Sequence, residues 1–181
     1  MKLIPPTLCL ALACAAPLLG PGQAAAQDMT ASQLDQLSGF LGDGTCTGGP
    51  MVKSGLTTAG KYHSEKAIGD HWIMIRYDEE TTSSNSKPYH VAQFFSYDAK
   101  AGHFVDVILD NSGQSYGAGT SSGWKGDAIT FENTVLAKGS HDVFRDVFTR
   151  QGTKVMSHTG YARDKSGKWI KTDHEVCKRT E

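Results

Sequence analysis

The stretch KVMSHTGYARDKSGKWIKTDHEVCK, residues 154–178, reads as two β-strands joined by a tight turn, and its register decides what the fold looks like inside. Asp164-Lys165-Ser166-Gly167-Lys168 suits a three-residue hairpin loop in which a type I turn is followed by a left-handed residue, here Gly167. Setting Asp164 opposite Lys168 fixes the remaining pairs. One face then carries Met156 opposite Val176, His158 opposite His174, Gly160 opposite Thr172 and Ala162 opposite Ile170. The other carries Val155 opposite Cys177, Ser157 opposite Glu175, Thr159 opposite Asp173 and Tyr161 opposite Lys171. Charged side chains are almost never buried without partners, so the first face is expected inside and the second outside. A slip of one residue would reverse this.

Upstream of the hairpin, runs rich in Val, Ile, Tyr, Phe and Thr alternate with Gly, Asp, Asn, Ser and Lys. They predict strands over 45–52, 60–68, 72–78, 89–97, 103–110, 115–120, 128–136, 142–150, 154–163 and 169–178. The intervals leave no room for the helices that parallel crossovers need. A meander this long must close or stack to protect its edges. The expected fold class is therefore all-β, an antiparallel up-and-down β-barrel of about ten strands. The polar stretch 80–87 is the one long loop, and no repeat or second compositional block appears.

Ahead of the strands, 30–42 has one helical signal. Thr30 with Gln33 three residues on forms a capping-box pattern, and Leu34, Leu37 and Leu41 follow at helical spacing before Gly42. This predicts a short amphipathic helix across one end of the barrel. Residues 1–26 read as a signal peptide: Lys2, an apolar run from Leu3 to Leu19, and Ala24-Ala25-Ala26 before Gln27. Pro5, Pro6 and Pro17 interrupt the run, so no membrane span is expected after signal removal. Cys14 after Leu12-Ala13 hints at lipoprotein processing, but Ala11 stands where a larger aliphatic residue is usual. The expected division is signal peptide 1–26, helix-bearing segment 27–43 and barrel 44–181, in a periplasmic or secreted protein.

Cleavage would remove Cys9 and Cys14 and leave Cys46 and Cys177, 131 residues apart. In an oxidising compartment these two are expected to pair, stitching first strand to last with both sulfurs outward. Metal binding is the rival reading, but no Cys-x-x-Cys or Cys-His spacing exists. Lys and Arg nearly balance Asp and Glu, for a net charge of −1. No basic stripe is present, so nucleic acid is not an expected partner.

Candidate chemistry centres on His158 and His174, placed about 5 Å apart at Cβ by the expected register. Two imidazoles there could share a metal, flank a haem or bracket a polar group of a ligand. Either Arg145 or Asp146 lies beside His158, depending on the hairpin at Gln151-Gly152-Thr153. An Asp would orient the ring as base or ligand, and an Arg would favour a carboxylate. In a partly desolvated lumen both imidazoles are expected to titrate below about 6.5. Met156 and Phe94 are expected to add apolar lining, Phe94 as part of a cluster with Phe95, Tyr97 and Phe104. Asp106 and Asp110 share a strand face and suit paired-carboxylate chemistry, calcium or plain solvation. Gly119-Thr120-Ser121-Ser122-Gly123 matches the Gly-x-Ser-x-Gly nucleophile pattern, but a strand rather than a helix follows, so it reads as a small-residue loop.

The order Leu41-Gly42-Asp43-Gly44-Thr45-Cys46-Thr47-Gly48, Phe95-Ser96-Tyr97-Asp98, Val107-Ile108-Leu109-Asp110, Trp124-Lys125-Gly126-Asp127, Phe144-Arg145-Asp146 and Glu175-Val176-Cys177-Lys178-Arg179 resembles an uncharacterised family of exported bacterial domains of unknown function. The resemblance implies a calycin-like barrel of the lipocalin and nitrobindin type, with a ligand-sized lumen. Such families usually have Trp in the first strand, where this chain has Gly44. The resemblance carries over no catalytic residue. The leading expectation is binding of a small hydrophobic or amphipathic ligand, oriented by His158, His174 and Arg145. Haem is a variant, with His158 or His174 as axial ligand. The alternatives are an enzyme using a lumen His as general acid or base, and a structural or protein-interaction module of the cell envelope with a filled lumen.

Overall fold

The computed structural model describes residues 29–50, 57–81, 86–111, 116–136 and 142–180. The expected signal peptide, with Cys9 and Cys14, lies outside the described residues. Among the described residues eleven strands follow one another: β1 Gly42–Pro50, β2 Thr58–Ala67, β3 Trp72–Glu79, β4 His90–Asp98, β5 His103–Asp110, β6 Tyr116–Ser121, β7 Trp124–Lys125, β8 Ala128–Val135, β9 Val143–Arg150, β10 Val155–Arg163 and β11 Trp169–Arg179. The sheet runs β6-β5-β4-β3-β2-β1-β11-β10-β9-β8-β7, and β6 also pairs with β8. That last pairing closes an antiparallel barrel of ten long strands and removes every long edge. The two-residue β7 is an extra rung on β8, too short to show in residue patterning.

β1 and β11 are neighbours, with Cys46 opposite Cys177 in the register and a disulfide between them, Cα to Cα 4.0 Å. A bridge closing so long a loop is worth about 5 kcal/mol in the chain-entropy account. The sulfurs do not point outward as expected. Cys46 is 1% exposed, and both cysteines border the lumen.

The N-terminal helix runs as α-helix over 29–34 and as a 3-10 helix over Asp35–Phe40. Thr30 is not the residue ahead of the helix that the expected capping box needs. Thr30 already lies inside the helix, and its hydroxyl donates to the Tyr97 carbonyl at 3.4 Å, while Gln33 accepts from the Gln36 amide. Tightening to 3-10 geometry brings Phe40 onto the inner face with Leu34 and Leu37, leaving Leu41 at the margin. These three side chains join Ile73, Phe95, Phe104, Ile129, Phe131 and Phe148 in one core cluster. Phe40 stands 5.3 Å from the Phe95 ring and 5.2 Å from Phe148. Full burial of such a side chain contributes about 1.5–3 kcal/mol. The helix therefore plugs one end of the barrel.

The final hairpin turns as expected. Gly167 has φ +82°, and Asp164 N–H donates to the Lys168 carbonyl and Gly167 N–H to the Asp164 carbonyl. Arg163–Trp169, Ala162–Ile170 and Tyr161–Lys171 pair as foreseen, but Gly160 pairs with Asp173, leaving Thr172 as a β-bulge. The Asp173 carboxylate holds the bulge. Its Oδ1 accepts from Gly160 N–H at 3.1 Å and its Oδ2 from the Thr172 hydroxyl at 3.0 Å. Gly160 permits this approach, because a Cβ there would stand 2.1 Å from Asp173 Oδ2. Beyond the bulge β11 is rotated by one residue, so Asp173, Glu175 and Cys177 face the lumen and His174 faces out.

Candidate functional site

Above the aromatic core lies a cavity of about 620 Å³. Phe40 and Phe148 border it on the core side. Ile75, Val91, Ile108, Val135, Phe144 and Met156 supply apolar wall. Each comes from the inward face of its strand, two residues from the next inward side chain. Lys87 and Tyr89, just before β4, lie at the opposite end from the helix plug.

Of the residues expected to bind, His158 and Met156 line this cavity. His174 does not. It pairs with Thr159, whose Oγ1 lies 2.9 Å from His174 Nδ1 on the outer face, while His158 is opposite Glu175. The expected His pair is thus undone by the Thr172 bulge. Arg145 also faces out, ion-paired with Glu132 and 4.1 Å from the Trp169 ring centroid. Phe94 opposes Met74 and Val107 on the outer face. Its neighbour Phe95 is the one inside, since adjacent strand residues cannot both face the core. Ser121 serves its own turn, accepting from Gly123 N–H at 3.1 Å before β7, which agrees with a small-residue loop.

The lumen holds a connected polar network that the sequence reading saw only in part. His158 Nε2 lies 2.8 Å from Asp146 Oδ1, and Nδ1 is 3.4 Å from Asp173 Oδ1. Asp146 Oδ2 accepts from Asn133 Nδ2 at 2.8 Å, and the same amide donates to Asp106 Oδ2 at 3.1 Å. Gln93 donates to both oxygens of Asp106. Nearer the mouth, Tyr77 donates to Glu175 Oε1 at 3.1 Å and Tyr89 to Asp110 Oδ2 at 3.3 Å. Tyr77 and Tyr89 were not among the residues expected to bind. Their role follows from register alone.

Burial pulls the His158 imidazolium down, but the Asp146 hydrogen bond and the charges of Asp146, Asp173 and Glu175 outweigh it and push its pKa up to about 9. The expected depression below 6.5 is therefore reversed. Asp106, 1% exposed, is raised well above the carboxylate range by burial and then by the Asp146 charge, with the Gln93 and Asn133 amides pulling back. Burial also raises Glu175, against the opposing pull of His158 and the Tyr77 hydroxyl. Tyr77 and Tyr89 are raised by burial and then by the carboxylates they touch.

Protonated at neutral pH with both nitrogens turned to carboxylates, His158 is a fixed internal cation. It has no lone pair for a base's work or for an axial bond to haem iron. His174, on the outer face, cannot reach a lumen ligand. Neither histidine expected as an axial ligand is therefore placed to hold haem in the lumen. Among the described residues no group of three His, Cys, Asp or Glu is arranged to hold a metal ion.

The fold is similar to the crystal structure of Rv2717c from M. tuberculosis. The two share 14% sequence identity at a TM-score of 0.61, covering 82% of this chain and 98% of that one. No protein-family model and no curated protein matches the chain.

Proposed function

We propose that this is an exported small-molecule-binding protein of the calycin-like barrel type, holding an amphipathic ligand in its lumen. The observation that carries the reading is the cavity of about 620 Å³ between the aromatic core and the mouth. Its size and mixture of apolar wall with a few placed polar groups match ordinary ligand sites. A filled envelope module would not leave such a space. The enzyme reading is weaker, because the one lumen imidazole is held protonated between carboxylates. Export, to the periplasm or beyond, is supported by the signal-like N-terminal residues and by the Cys46–Cys177 bridge, which suits an oxidising compartment.

The test is a plug. Ile108 lines the cavity and sits mid-strand on β5, so Ile108→Trp should fill it. Wild-type protein purified from its own host should release a stoichiometric small molecule in native mass spectrometry and bind a lipophilic fluorescent probe. The plugged protein should do neither while remaining folded by circular dichroism. Equal probe binding by both would place the ligand elsewhere.

A further inference from the structure

We propose that the lumen selects amphipathic ligands whose polar head donates a hydrogen bond, such as an alcohol or primary amide, over those whose head only accepts, such as an ether, ketone or ester. This rests on the lumen-binding reading and adds the chemical class of the head group. The side-chain donors that border the cavity are already engaged within the protein. Both ring nitrogens of His158 face carboxylates, Asp146 at 2.8 Å and Asp173 at 3.4 Å. The Gln93 amide nitrogen donates to the two oxygens of Asp106, at 3.1 and 2.9 Å. Tyr77 donates to Glu175, Tyr89 to Asp110, and the Thr58 hydroxyl to the Gly48 carbonyl at 3.1 Å. Lys87, at the mouth, has a partner as well. The Tyr62 ring lies over Gly44 toward the plug end, its hydroxyl in reach of the Arg179 and Asp43 charges.

The polar capacity left over is that of acceptors. Holding the Gln93 nitrogen on Asp106 turns its Oε1 away from that carboxylate, and Glu175 meets Tyr77 through Oε1, which leaves Oε2. Among the described residues the unpartnered side-chain atoms sealed inside the protein are Ser64 Oγ, Trp124 Nε1 and Asn133 Oδ1. Gln93 Oε1 and Glu175 Oε2 are not of that kind, and both residues border the cavity, so both atoms open on it. An ether or ketone oxygen entering there gives up the donors that water supplied and meets none in exchange, while the two acceptors lose their water too. An O–H or N–H head restores a bond instead. Glu175 is the stronger of the two acceptors, because a bond to a carboxylate is charge-assisted. Ile75, Ile108 and Phe144 offer the tail its surface.

The experiment is calorimetric titration of the intact barrel with two isomers of one formula, 1-octanol and heptyl methyl ether, which share a chain length and differ in the hydroxyl proton. Octanol should bind about tenfold or more tightly than the ether. Glu175→Gln keeps an oxygen for Tyr77 and turns an amide N–H2 to the lumen in place of Oε2, so the ether should gain and the preference should shrink. A smaller preference in the wild-type protein, tighter binding of the ether, or a preference unchanged in Glu175→Gln overturns the donor proposal and leaves lumen binding standing. Failure of both isomers to bind takes away the lumen reading itself.

Discussion

His158→Gln removes the positive charge that lets carboxylates face the lumen, and its cost should depend on pH in a specific way. The ring is 24% exposed and held by Asp146 at 2.8 Å and Asp173 at 3.4 Å, which lifts its pKa from 6.5 to about 9. Below about pH 6.5 the imidazole is protonated in folded and unfolded chains alike, so the benefit of its partners is fully present. Between 6.5 and about 9 only the folded chain keeps the proton, and stability falls as pH rises. Above about 9 the benefit is gone. The shift corresponds to about 3 kcal/mol. Urea unfolding followed by Trp fluorescence at pH 6 and pH 10 measures it. The variant should be less stable by about 3 kcal/mol at pH 6, and the gap should close to under about 1 kcal/mol at pH 10. Asp106, Asp146, Asp173 and Glu175 all face the ring, and Asp106 and Glu175, which its charge pulls down in the wild type, should titrate higher in the variant. An equal gap at both pH values, or an NMR midpoint for His158 at or below 6.5, would refute the reasoning.

Three further outcomes follow from the same geometry. Replacing Cys46 and Cys177 by Ser should lower unfolding free energy by about 3–5 kcal/mol, read by urea unfolding, and no loss would show that the bridge adds nothing to the seam. Asp106→Asn should raise the urea midpoint at pH 7: the raised folded pKa of Asp106 means that stability is lost as pH climbs above the unfolded value near 3.8, and the amide avoids that loss. A midpoint unchanged or lowered would show that Asp106 is ionised at little cost. Gly160→Ala should drive a Cβ into the Asp173 carboxylate and break the Gly160 N–H bond, costing about 1–3 kcal/mol and shifting the Thr172 and Asp173 amide resonances; unchanged resonances would remove Asp173 as the support of the bulge.

Strand order, the ten long strands, the helix plug and the Cys46–Cys177 seam were all legible, because they depend on turn residues and apolar patterning that act locally. The turn at Asp164–Lys168 was legible for the same reason, and so were the first three pairs it sets. What local patterning did not reveal is the bulge at Thr172. No Gly or Pro marks it on β11, and its support comes from Gly160 on the partner strand. That one residue moved His174 out and Asp173, Glu175 and Cys177 in. The rule that charges stay outside then pointed the wrong way, since a cavity with His158, Tyr77 and Gly160 N–H inside gives carboxylates partners. The Asp146–His158 contact was within reach, as one of two alternatives for the β9–β10 hairpin. Phe94 was misplaced because two adjacent Phe residues do not say which faces the core.

The most direct test of the central claim is where a ligand touches the barrel. In ¹⁵N- and methyl-labelled protein titrated with 1-octanol, the account predicts saturable shifts at Ile75, Val91, Ile108 and Met156, those at Ile75, Val91 and Met156 being absent in Ile108→Trp, with Met74 and Val107 on the outer face unmoved. Shifts confined to the outer face, or persisting unchanged in the plugged barrel, would contradict it.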